Sequence, residues 1–245
     1  MSTKDRSPGL NKMDKPLSPL VIAVIPLYAA FFIGIFLFPV AKDWRWLQGW
    51  LFVAAFSIVL GVGYAMINKE NPRVLRNRMK VKKEGLTSAT KKSASSDRFI
   101  MPIMSLGFFG ALLLPSLGRR FGWQEMPFII SILGLVLCTI GNTILLTSMY
   151  QNAHASKILD INQEQKLIDS GLYGKVRHPL YSGAIVMVFG IPIALGSFWG
   201  LIPAFIAAFT LFWRIKFEEE MLVKGLDGYV DYQHRVKYKL FPGIY

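Results

Sequence analysis

The chain has a single cysteine in its 245 residues, Cys138. That excludes a disulfide within the chain and a thiolate cluster around a metal. Cys138 lies inside an apolar run, where a small buried hydrophobe is expected. Histidine is nearly as scarce. His154, His178 and His234 are far apart and lack the spacing of metal ligands, so no metal is expected. Charge is short too: Asp, Glu, Lys and Arg make up 18% of the chain, less than a soluble globular protein usually carries. The sequence has no glycine-rich strand-to-helix fingerprint of a soluble dinucleotide domain, no Ser or Cys nucleophile motif and no repeat of fixed period. Met1 to Leu17 is polar without a clear cleavage site, so a removed signal peptide is not expected. The end, Phe241-Pro242-Gly243-Ile244-Tyr245, carries no cysteine, so the chain is not expected to be prenylated there.

What the chain has in quantity is apolar sequence, 53% of its residues, gathered into long runs. Such runs mark an all-α integral membrane protein. Six spans are expected: Leu17–Val40, Trp46–Ile67, Phe99–Leu117, Glu125–Tyr150, Pro179–Leu195 and Phe198–Trp213. The last two are short and separated by Gly196-Ser197, a turn signal, so they read as a helical hairpin. One membrane domain, 1–245, is expected, with a four-span part over 1–150 and a C-terminal part over 151–245.

The net charge of +13 would suggest nucleic acid in a soluble protein. Here the bases lie between apolar runs, so anionic lipid and membrane topology explain them, and no nucleic-acid partner is expected. With a cytoplasmic N-terminus and six crossings, the cytoplasmic segments 1–17, 68–98, 151–178 and 214–245 hold 4, 10, 4 and 6 basic residues, 24 of the 28. That bias fits the positive-inside rule and puts both termini in the cytoplasm. The stretch 69–98 reads as a basic linker near anionic lipid, with a Ser-rich piece at 93–96 and an interfacial helix around Pro72–Met79.

Two polar clusters bracket the hairpin on that cytoplasmic side. The first is Gly171-Leu172-Tyr173-Gly174-Lys175-Val176-Arg177-His178-Pro179-Leu180-Tyr181. Proline is favoured at the first helical position and biases its predecessor away from helix, so a helix starts at Pro179. Its amides and positive dipole end suit an anion. The bland alternative is that Arg177 and Tyr181 are interface anchors. The second cluster is Arg214 with Glu218, Glu219 and Glu220. Glu220 suits a solvated helix end. Glu218 and Glu219, so close to a membrane segment, call for partners, and they can bind an ammonium group or order Arg177 or His178. Tyr229 and Tyr232 have the spacing of packing residues.

Taken together, these residues resemble the isoprenylcysteine carboxyl methyltransferase family of membrane enzymes. The match runs through Gly171-Leu172-Tyr173, Val176-Arg177-His178-Pro179-Leu180-Tyr181-Ser182-Gly183, Arg214, Glu218-Glu219, Leu222, Gly228-Tyr229, Tyr232, Arg235-Val236 and Pro242. Weaker matches are Asn71-Pro72, Arg78 and Asp97, and Ser96 stands where the family commonly has tryptophan. The resemblance implies S-adenosyl-L-methionine (SAM) as methyl donor, bound on the cytosolic side of a bacterial inner membrane or an ER-type membrane. Gly171, Leu172, Tyr173, Val176, His178, Pro179, Tyr181, Glu218 and Glu219 would bind or order it. Arg177, Arg214 and Glu219 would organise catalysis. The acceptor would be a lipidic or prenylated carboxylate entering from the bilayer. A phospholipid amine or another small lipid is an alternative acceptor. A sterol-type reductase using NADPH is an alternative of another class, but Leu180 and Ala184 depart from the pattern typical of those enzymes.

Overall fold

The computed structural model describes residues 15–79, 97–123, 125–152 and 167–245, with backbone only at 77–79, 97 and 98. Most of the N-terminal tail, the Ser-rich piece, Gln163–Lys166, His154 and the side chains of Arg78 and Asp97 lie outside that description. Among the described residues all regular structure is helical, apart from one isolated bridge between Glu125 and Ser197. The elements are α1 (Pro19–Ala41), α2 (Leu47–Glu70), α3 (Pro72–Met79), α4 (Asp97–Phe121), α5 (Phe128–Gln151), α6 (Pro179–Ala194), α7 (Leu201–Gly225) and α8 (Tyr229–Arg235).

α1, α2, α4 and α5 are each long and apolar enough to cross a membrane. Their outer faces carry exposed Leu27, Phe31, Ile58, Leu106, Leu133 and Val136, as lipid contact requires. α6 is a shorter apolar helix of 16 residues. α7 runs past the end of its expected span, continuing to Gly225 through Glu218-Glu219-Glu220. Glu, Met, Leu and Lys are good helix formers, so nothing in that stretch stops the helix when the apolar residues run out.

Contacts between loops sort the helix ends into two groups. At one end Arg119 bonds Asp43 at 2.9 Å and Glu125 at 2.9 Å, while the Met126 amide donates to Gly196 O at 2.7 Å. At the other end Leu17 N donates to the Asn68 side chain at 2.7 Å, and Asn71 Nδ2 donates to Tyr150 O. Leu172 N there donates to Gln151 Oε1 at 2.9 Å. α1, α2, α5 and the shorter α6 therefore run from one end to the other, and α6 and α7 form an antiparallel hairpin.

The tightest packing is between α5 and α6. Gly134 and Gly141 sit seven residues apart on α5, and Gly183 and Gly190 seven apart on α6. A Cβ on Gly141 would lie 2.4 Å from Met187 N, and one on Gly183 would lie 2.7 Å from Gly141 O. Small residues let backbones approach this closely where lipid supplies no hydrophobic drive between helices. α4 and α7 repeat the device, since a Cβ on Gly107 would meet Ala207 N at 2.8 Å. Beyond the bundle, Leu222, Tyr229, Tyr232 and Val236 form a small separate core that seats α8.

Candidate active site

The site lies where the start of α6, the end of α7 and the tail after α8 converge. His178 caps α6 with Pro179 at its first turn, as the sequence predicts. Tyr181 N and Ser182 N both donate to His178 O at 3.1 Å. Arg177 N donates to Tyr238 O at 3.0 Å and His178 N to Lys239 O at 2.8 Å. Ser182 Oγ donates to Leu240 O at 2.6 Å. The tail thus pairs along the His-Pro segment.

Glu219 is the hub. Its Oε1 accepts from Arg177 Nε at 2.6 Å and lies 3.3 Å from His178 Nε2. Its Oε2 lies 3.1 Å from Lys239 Nζ. One carboxylate on α7 so ties together the loop, the start of α6 and the tail. Glu219 is 8% exposed, and burial pushes its carboxyl up. Hydrogen bonds from His178, Arg177 and Lys239 outweigh burial and bring it down to about 2. Lys239 answers in kind. Burial opposes its charge, but the Glu219 carboxylate raises the ammonium above its usual value.

Arg177 is spoken for on several sides. Besides Glu219, its Nη1 donates to Val236 O at 2.7 Å and Lys237 O at 2.9 Å. These bonds make it a clamp between α7 and the tail.

A second group lies toward α4. The Tyr181 ring stacks on His178 with centroids 5.7 Å apart. The Arg214 guanidinium lies 6.0 Å from the centroid of the same Tyr181 ring. Tyr181 OH donates to Glu218 Oε2. Arg214 is 4% exposed and its Nη1 reaches the Met101 sulfur of α4 at 2.9 Å. A buried, permanent cation therefore sits between the polar hub and the spans.

The loop residues predicted for the site divide. Gly171 adopts φ +62°, and a Cβ there would strike the Gln151 side chain at 2.5 Å. Its close approach is thus to α5. Tyr173 and Val176 are buried, and Tyr173 O accepts from Tyr232 OH at 2.7 Å. Leu172 is tied to Gln151, so these residues form the wall behind the hub. Glu220 is exposed, as expected. Lys239 was missed by sequence reasoning, because one lysine in a basic tail carries no signal of its own.

No curated protein sequence matches the chain. Residues 129–227 match the phospholipid methyltransferase family model. That segment contains all but the first residue of α5 and the whole of α6 and α7, with His178, Tyr181, Arg214, Glu218 and Glu219 inside it. The resemblance to membrane methyltransferases read from the sequence is borne out over this segment. Among solved structures, the chain is similar to the eukaryotic intramembrane Ras methyltransferase, isoprenylcysteine carboxyl methyltransferase. The identity is 18%, the coverage 92% of this chain and 85% of that one, and the TM-score 0.43. The matched segment leaves out Lys239, whose contact with Glu219 comes from the tail beyond it.

Proposed function

We propose that this chain is an integral membrane methyltransferase that uses S-adenosylmethionine and methylates a lipidic carboxylate, of the isoprenylcysteine type, held in the bilayer. The observation that carries the reading is the presence of the Glu219 hub and the buried Arg214 five residues apart on α7, inside the segment matching a methyltransferase family. The six long helices all cross, both termini are cytoplasmic, and the site opens to the cytoplasm. The charge bias of the loops supports that orientation.

The residues present suit the donor. Its amino group finds a carboxylate in half-buried Glu218, whose Oε2 accepts from Tyr181. Its carboxylate finds the positive side of the hub, where Arg177 and Lys239 exceed the single charge of Glu219. The Tyr181 ring offers a π face to a positively charged centre. When bound, that donor supplies a methyl group on a sulfonium, whose C–S bond breaks as the acceptor oxygen bonds the carbon.

This chain's own task is positioning, because alignment of the reacting atoms carries much of such a barrier. Arg177 is engaged by Glu219 and two carbonyls, so Arg214 holds and orients the acceptor carboxylate at the boundary with α4. A carboxylate is ionised at neutral pH, so the chain need supply no base. The His178–Glu219–Lys239 set keeps the start of α6 fixed while the acceptor's lipid part stays among the spans.

A second reading, favoured by the description of the matched family, is a phospholipid amine as acceptor. Glu218 or His178 would then take the proton lost from nitrogen. Incubation of purified protein with methyl-labelled S-adenosylmethionine and a lipid extract, followed by mass analysis, tests both. A base-labile methyl ester supports the first reading, and an N-methylated phospholipid supports the second. No label in lipid, or NADPH oxidation in its place, refutes both.

A further inference from the structure

Tyr229 opens α8 and packs against Leu222, one helical turn beyond Glu218 and Glu219 on α7. It is 3% exposed, and its hydroxyl is buried with no hydrogen-bond partner among the described residues. The other tyrosines of the site differ: Tyr232 donates to Tyr173 O, and Tyr181 donates to Glu218. The two α8 rings are in contact, with centroids 5.6 Å apart, yet only the Tyr232 hydroxyl is satisfied. Buried hydroxyls are nearly always paired, so an orphan calls for an explanation.

The surroundings supply one. Burial, followed by the negative charge of Glu219, raises the Tyr229 phenol above its usual range. It therefore keeps its proton and is a donor. Arg177 and Glu218 also act on it, so the hydroxyl stands within the field of the hub rather than at the rim.

On the reading given above, we propose that Tyr229 is a further binding residue of the site, whose hydroxyl donates a hydrogen bond to an acceptor atom of the bound methyl donor. Tyr229 breaks no existing hydrogen bond in making this one. The isolated chain bears the cost of the unmet hydroxyl, and ligand binding removes it.

The test compares Tyr229→Phe and Tyr232→Phe in purified full-length protein in detergent micelles. Calorimetric titration with S-adenosylhomocysteine gives affinity, and thermal unfolding without ligand gives stability. Tyr229→Phe is expected to unfold at the wild-type temperature or above, and to bind about three- to tenfold more weakly, the loss of one net hydrogen bond. Tyr232→Phe, which removes a bond already made, is expected to unfold at lower temperature and bind as wild type. Unchanged affinity in Tyr229→Phe, or a lowered unfolding temperature, overturns the proposal. Failure of the wild-type protein to bind S-adenosylhomocysteine at all refutes instead the function on which the proposal rests, and the two failures are thereby told apart.

Discussion

Glu219→Gln is the most revealing single substitution in this molecule. It removes the charge from a carboxylate buried among Arg177, His178 and Lys239 while keeping its shape. The carboxyl is brought from an ordinary value of 4.5 down to about 2. At about 1.36 kcal/mol per pH unit, that shift corresponds to roughly 3 kcal/mol of stability above pH 5. Breaking one partner of a buried ion pair gives a similar figure, about 3–5 kcal/mol, because the other charge is left behind. The sign follows from a folded value below the unfolded one. The stabilisation is complete above 4.5 and is lost as pH falls toward about 2. Denaturant unfolding in micelles should therefore show Glu219→Gln weaker than wild type by about 3 kcal/mol at pH 7. The gap should close at low pH. Arg177→Met with Glu219→Gln should cost clearly less than the two single losses added together, since the buried Arg177 charge is no longer stranded. A Glu219→Gln protein within about 0.5 kcal/mol of wild type, or a double variant showing simple additivity, would refute the hub.

Two other outcomes are expected. Gly183→Leu pushes a side chain into Gly141 O and Leu145 N, backbone that cannot yield, and should cost about 1–3 kcal/mol or more and part α5 from α6. Unfolding in sodium dodecyl sulfate measures it. Arg214→Met should leave S-adenosylhomocysteine affinity intact and lower kcat/KM for a carboxylate acceptor by roughly 10- to 150-fold, the worth of a charge-assisted hydrogen bond. Steady-state kinetics with varied acceptor separates the two effects.

The spans were legible because membrane helices announce themselves as long apolar runs. The expected Trp46–Ile67 and Glu125–Tyr150 differ from α2 and α5 by one to three residues at each end. Hydropathy ends at Trp213, short of the end of α7 at Gly225, because the helix continues through polar residues. The glycines at 134, 141, 183 and 190 were visible as letters. Their meaning appeared only when the two helices were seen to press together there.

The site was legible by residue type and not by partner. An acid beside a membrane segment needs a counter-charge, and Glu219 finds it in Arg177 and His178, the two groups the sequence offers nearby. The third cation, Lys239, joins from a tail that pairs with the His-Pro segment through its carbonyls. Backbone pairing of that kind leaves no trace in side-chain pattern.

The central claim is that His178, Tyr181 and the two glutamates form a methyl-donor site. Calorimetric titration of purified wild type and His178→Ala with S-adenosylhomocysteine tests it most directly. Saturable binding to wild type, lost in a folded His178→Ala, is the predicted result. No binding to wild type, or equal binding to both, would contradict the account.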